Sequence, residues 1–253
     1  MVDYELHGRV ALLTLNRPEA RNAVNGDVAR GMEAALDQLE EDDDAWLGIL
    51  THEGPVFSAG ADLKAISSGN AADLQTKRGG FAGFVRRERT KPIIAAMEGP
   101  ALAGGCEIAI ACDLIVASSE ARFGLPEVKR SLVAAAGGLF RLPRLLPRKV
   151  ALEIIMTGDP ISAERAAELG LVNEVCPPGQ ALERARALAD RIVANAPLAV
   201  RESRKIALET VDAPDEEGWK RSGEGMMSLA STEDFAEGPR AFIEKRAPEW
   251  KGR

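Results

Sequence analysis

The sequence predicts an α/β fold, and two patterns carry that expectation. Short apolar runs of strand length alternate with stretches whose apolar residues recur at helical spacing. The units recur without strict sequence repetition, and everything after Pro177 is helical in pattern.

Residues 10–16 are an apolar run closed by Arg17-Pro18, which reads as a buried strand. Val28, Met32, Leu36 and Leu39 fall on one helical face, and that helix ends in the acidic run from Glu40 to Asp44. Residues 46–51 read as the next strand. Residues 66–91 carry Gly69, Gly79, Gly80 and Gly83 with no readable period, and Arg86-Arg87-Glu88-Arg89 near their end reads as a solvated helix face. Residues 92–99 form a second strand-then-turn unit leading into a helix that starts near Gly104. Residues 113–117, 121–124 and 171–175 read as three further strands. Leu182, Ala185, Leu188, Ala189 and Ile192 make one apolar helical stripe, and Pro197, Pro214 and Gly238 punctuate the rest. Residues 1–195 are therefore expected to form the α/β core and 196–253 a C-terminal helical region, with no Pro-, Gly- or Ser-rich linker between them.

The bulk properties exclude several classes. A chain of 253 residues can bury a sizeable core. Its formal net charge of −7 argues against nonspecific nucleic-acid binding, and with Tyr4 the only tyrosine there is no stacking platform for bases. Cys106, Cys112 and Cys176 form no CxxC pair, which fits a reducing compartment. His7 and His52 are the only histidines, so neither a His-based triad nor a multi-His metal site is expected. Asp3, Glu5, His7 and Arg9 interrupt the opening, where a secretory segment would be apolar, and no run is long enough to cross a bilayer. The expected location is cytoplasmic.

Two short stretches carry the chemistry. One is Phe57-Ser58-Ala59-Gly60-Ala61-Asp62-Leu63-Lys64; the other is Gly99-Pro100-Ala101-Leu102-Ala103-Gly104-Gly105-Cys106-Glu107, with Glu127 following in Phe123-Gly124-Leu125-Pro126-Glu127. Small residues let backbone N–H groups approach a ligand closely, and each turn leads into a helix whose first N–H groups lack internal partners. Two such ends aimed at one carbonyl oxygen make an oxyanion hole, and two glutamates beside it supply acid–base chemistry. That combination suits an enolate derived from a thioester. Read singly, each turn is also an ordinary strand-to-helix connection, Glu107 a helix-start capping residue and Glu127 a surface glutamate.

These motifs resemble the enoyl-CoA hydratase/isomerase (crotonase) family. The resemblance runs from Asn16-Arg17-Pro18 and Arg21-Asn22-Ala23 to Glu237-Gly238-Pro239-Arg240, and the ending Trp250-Lys251-Gly252-Arg253 is similar to the carnitinyl-CoA dehydratase branch. The resemblance implies a β-β-α superhelix, a spiral core followed by a helical region, and homotrimers that pair into hexamers. It implies a cofactor-free lyase in which coenzyme A is part of the substrate. The backbone N–H groups of Ala61 and Gly104 would be the oxyanion donors. Glu107 would act on the water at the β-carbon, and Glu127 would exchange a proton with the α-carbon. Ala59, Ala61, Asp62, Leu63 and Lys64 match the segment along the thioester and pantetheine arm, with Arg17, Arg21 and Lys64 as candidate cations near the nucleotide and Lys245 reaching in from a neighbouring subunit. Asp62 itself is expected to be structural, since an aspartate after a tight turn accepts local backbone hydrogen bonds. Cys106 is expected to be a small core residue.

Hydration of a trans-2-enoyl-CoA is thus the expected activity. Isomerisation, a carnitinyl-CoA-type dehydration and a non-catalytic acyl-CoA-binding role are the alternatives. One departure from the family stands out: Ala134-Ala135-Ala136-Gly137-Gly138 replaces its Pro-Gly-containing loop. Ala135 matches a glycine whose N–H helps position the water, and a positive φ there is costly for alanine. Ala103, where a third glycine is common, is the milder change.

Overall fold

The chain opens on a hairpin that the sequence reading passed over. In the computed structural model, which describes residues 1–253, β1 (Val2–His7) pairs antiparallel with β2 (Val10–Leu15). Val2 and Tyr4 pack against the core while Asp3 and Glu5 face out, an alternation of period two that the charges obscured. The elements that follow are α1 (Gly26–Glu41), β3 (Leu47–His52), α2 (Leu63–Ser67), β4 (Gln75–Thr76), β5 (Gly80–Phe81), β6 (Ile93–Met97), β7 (Ala101–Leu102), α3 (Gly104–Ala109), β8 (Leu114–Ser118) and β9 (Arg122–Gly124). Then come α4 (Gly138–Leu145), α5 (Arg148–Thr157), β10 (Ile161–Ser162), α6 (Ala163–Glu168), β11 (Glu174–Cys176), α7 (Ala181–Val193), α8 (Pro197–Thr210), α9 (Asp215–Leu229) and α10 (Glu233–Glu244).

The main sheet has the order β1-β2-β3-β6-β8-β11, with every pair after β1–β2 parallel. Its central strands are covered on both faces, which is why β3 and β6 read as continuous apolar runs. On one face lie the Val28, Met32, Leu36 and Leu39 stripe of α1 together with Leu13 and Leu50. On the other, Leu47, Ile49, Ile94 and Val116 meet Ala181, Ala185 and Ala189 of α7. Leu182, Leu188 and Ile192 pack against that cluster at its margin, so the stripe read from sequence is the buried face of α7, with Ala185 and Ala189 at its centre. A smaller sheet, β10-β9-β7, lies beside the first and carries the chemistry-bearing turns.

The C-terminal helices are tied back by charge. Arg204 on α8 pairs with Asp113 at 2.7 Å and donates to the Arg89 carbonyl. Asp234 accepts the Lys251 and Gly252 amides, Glu237 accepts the Glu249 amide and pairs with Arg246, and Trp250 Nε1 donates to the Ala194 carbonyl.

Three sequence expectations need correction. Arg86-Arg87-Glu88-Arg89 is not a helix face: Arg86 ends a turn and the next three residues are irregular, with Arg87 paired to Asp37 and Arg89 donating to the Ala111 carbonyl while lying over Phe84. Packing between α1 and the core recruits these two guanidinium groups. The last strand is Glu174–Cys176 rather than 171–175, because Leu171 and Val172 turn into the core ahead of it. Glu127, a surface glutamate when read singly, sits half-buried in a short 3-10 helix, Pro126–Arg130.

Candidate active site

The two small-residue turns are neighbours because the second sheet aligns them. Ser58 and Ala101 form a parallel bridge, with the Leu102 amide donating to the Ser58 carbonyl at 3.0 Å. Three residues beyond each bridged position stand Ala61 and Gly104, each just past a residue of positive φ, Gly60 or Ala103. The Ser58 hydroxyl donates to the Asn22 carbonyl at 2.8 Å, and Ala61 bridges to Val24. Gly60 has φ +85°, and a Cβ on it would lie 2.7 Å from the Gly104 nitrogen. Only glycine lets the turns approach this closely. Neither the Ala61 nor the Gly104 amide donates to a protein acceptor.

Asp62 caps α2 as expected, accepting from the Lys64 and Ala65 amides, and pairs with Arg17 at 2.7 Å. Burial opposes its ionisation, but the Arg17 and backbone hydrogen bonds outweigh that and hold its carboxyl below the usual range. Arg17, the first of the candidate cations, pairs with Asp62 and donates to the Ala23 carbonyl while lining the same side of the site. Arg21 and Lys64 are exposed and form no ion pair.

Glu107 projects from the first turn of α3 and is 3% exposed. Its Oε1 accepts the Gly138 amide at 2.9 Å. Burial pushes its pKa up to about 7, with the negative charge of Glu127 adding to the rise and the Gly138 hydrogen bond opposing it. Burial raises the Glu127 carboxyl too, and its Oε2 is buried with no partner. An orphaned carboxyl oxygen near a second raised carboxyl marks this as a candidate acid–base site.

One cleft of about 1190 Å³ joins these groups. Its wall includes Arg17, Arg21, Ala59, Ala61, Asp62, Leu63, Lys64, Gly104, Glu107, Glu127 and Ala135, every site residue expected from the sequence except Lys245. Lys245 caps α10 in a left-handed conformation. Ala135 does not have a positive φ, so the strain expected there is absent; it falls instead at Ala103, with φ 52° and ψ −129°. The Ala103 amide donates to the Gly124 carbonyl and its own carbonyl accepts the Glu107 amide, which locks that conformation.

Phe81 and Val85 of the 66–91 segment, with Phe140 and Arg141, also stand on the wall, none of them singled out by residue from the sequence. Arg141 donates to the Val85 carbonyl at 2.6 Å and to the Ala136 carbonyl, joining segments 56 residues apart in the chain that share no motif. The apolar spacing of α4 could have pointed to Phe140; nothing in residues 66–91 pointed to Phe81.

The family model described as Enoyl-CoA hydratase/isomerase matches residues 5–253. A carnitinyl-CoA dehydratase of Salmonella typhi is 42% identical, over 98% of this chain and 97% of its own. An enoyl-CoA hydratase structure from Mycobacterium tuberculosis H37Rv superposes with a TM-score of 0.95 at 46% identity, covering 100% of this chain and 99% of that one. A carnitinyl-CoA hydratase structure from Mycobacterium avium is 47% identical with a TM-score of 0.78, covering 100% and 98%. The spiral α/β core with its helical C-terminal region is the crotonase fold. With the family model spanning nearly the whole chain and relatives above 40% identity end to end, this chain belongs to the enoyl-CoA hydratase/isomerase (crotonase) family.

Proposed function

We propose that the chain adds water reversibly to trans-2-enoyl-CoA thioesters, giving 3-hydroxyacyl-CoA products. The observation that carries this reading is the pair of raised carboxyls, Glu107 and Glu127, on one cleft with two partnerless backbone amides. The thioester carbonyl sits between the amides of Ala61 and Gly104, which stabilise the negative charge as it develops on oxygen. The step uses Glu107 as a carboxylate and Glu127 as an acid. Ionised Glu107 takes a proton from water as the water oxygen bonds to the β-carbon. Protonated Glu127 then delivers its proton to the α-carbon as the enolate collapses. The pair ends with the proton on the other carboxyl and is reset by exchange with solvent.

The 59–64 turn carries the pantetheine arm, and Arg21 and Lys64 face the nucleotide phosphates. Coenzyme A arrives with the substrate, and no further cofactor is required. We read the working form as a homotrimer or homohexamer in the cytoplasm.

The names of the relatives favour a second reading, dehydration of a carnitinyl thioester, which uses the same two glutamates in the reverse sense. The cleft wall also carries Arg130 and Arg141, whose charges act on Glu127 and Glu107 respectively. A trimethylammonium group beside them is repelled, which supports an uncharged acyl chain. The test is a panel of trans-2-enoyl-CoA thioesters of increasing chain length, with crotonobetainyl-CoA included and product stereochemistry determined. Consumption of the uncharged thioesters with the higher kcat/KM is expected. Turnover of none of them would remove the hydratase reading.

A further inference from the structure

We propose that Phe81 is a positioning residue of this reaction, an apolar wall packed against Gly104 that keeps bulk water from the oxyanion site. The inference rests on the thioester reading above and concerns a residue in the segment the sequence left blank.

Three observations converge on Phe81. A Cβ placed on Gly104 would lie 2.5 Å from both Cε1 and Cζ of the Phe81 ring and 3.4 Å from the Gly60 Cα. The ring and the Gly60 Cα therefore both crowd the side of Gly104 where a side chain would stand, which only glycine leaves open. The ring is half-buried and lines the cleft, so part of it faces whatever occupies the site. It has no hydrogen-bond acceptor in its plane and cannot compete with a thioester oxygen for the amide.

The backbone presents the ring at a conformational cost. Gly80, Ala82 and Gly83 all have positive φ, at 64°, 58° and 67°. A left-handed alanine is disfavoured, and Ala82 is fully buried there. The turn is pinned to hold this shape: the Thr76 hydroxyl donates to Glu33 Oε1 at 2.7 Å, the Gly79 amide donates to the same oxygen at 3.1 Å, and the Ala82 amide donates to the Leu74 carbonyl at 2.9 Å. Strain retained by several anchors around one cleft-facing side chain points to a functional demand on that side chain. Core filling does not supply that demand, since Phe81 sits only at the margin of the hydrophobic cluster.

The physical consequence is electrostatic. An oxyanion donor acts more strongly where water is excluded, because solvent does not screen the developing charge. Phe81 is the apolar wall next to the Gly104 donor.

The test uses a cinnamoyl-CoA thioester bearing a para-dimethylamino group, whose absorption moves to the red when its carbonyl is polarised. Bound to the native protein it should show that shift. Phe81→Ala should lose at least half of the shift and about tenfold in kcat, short of the roughly 100-fold typical of losing a donor outright, with KM little changed. Phe81→Leu, which keeps the apolar fill and guards against a folding failure, should lose part of both. Native shift and native kcat in the leucine variant, and in the alanine variant where it folds, would overturn the proposal. Absence of any shift in the native protein would overturn the thioester reading and this inference with it.

Discussion

The Gly138 amide donates to Oε1 of Glu107 at 2.9 Å, joining the first turn of α3 to the start of α4. The bond is made to an oxygen that an amide side chain also possesses. A glutamine therefore keeps the contact while removing a buried charge.

The first prediction follows from that contact. Glu107 has its folded pKa raised from 4.5 to about 7. The native state thus binds the proton more tightly than the unfolded chain. The stability this confers is complete below pH 4.5 and is lost as pH rises through about 7, a difference of about 3 kcal/mol. Glu107→Gln should match the native protein in urea unfolding near pH 4.5 and exceed it by about 2 to 3 kcal/mol at pH 8. Equal stability at both pH values would contradict the buried, raised carboxyl.

Activity should move the opposite way. Glu107→Gln and Glu127→Gln should each lower kcat by at least roughly 100-fold, the usual span for lost acid–base catalysis. Affinity for a thioester such as acetoacetyl-CoA, measured by calorimetry, should change little, because the donors at Ala61 and Gly104 are backbone groups. If only one glutamate matters, the reaction is isomerisation, since one carboxyl can carry the proton between carbons. Hydratase turnover indifferent to both losses would refute the mechanism.

Ala103 and Ala135 make a matched pair. Ala103 holds φ 52°, while Ala135 is not in the left-handed region. Ala103→Gly should stabilise the protein by about 1 kcal/mol through relief of strain. Ala135→Gly should instead cost up to about 1 kcal/mol through added freedom in the unfolded chain. Thermal unfolding of both variants decides it; the reverse order would place the strain at the wrong residue.

Self-association is the fourth expectation. Val211, Trp219, Met227, Phe242 and Ile243, on and beside α8 to α10, are 74–86% exposed in the single chain. Apolar surface on this scale is rarely left to water in a monomer. Light scattering should give a multiple of 27.0 kDa, and Phe242→Glu should lower the assembled mass. A 27.0 kDa species at working concentration would contradict the proposed trimer or hexamer.

The legible parts of the molecule were those written in local pattern. The α1 stripe and the runs of β2, β3 and β6 announce themselves because one period governs each element. Asp62 as a cap was readable from its place after a tight turn. The β1 strand was hidden by its outward charges, and α4 to α6 went unread beyond the loop that precedes them.

By itself the sequence determined the α/β class, the two turns, both glutamates and the family, because each depends on residue types at short, fixed separations. Tertiary structure decided what depends on approach between distant segments. The Ser58–Ala101 bridge sets the two turns side by side; Asp62 claims Arg17; the pinned 79–83 turn sets Phe81 against Gly104; and strain settles on Ala103 rather than Ala135. Such relations arise from strand register and from hydrogen bonds between segments far apart in the chain, and no local period encodes them.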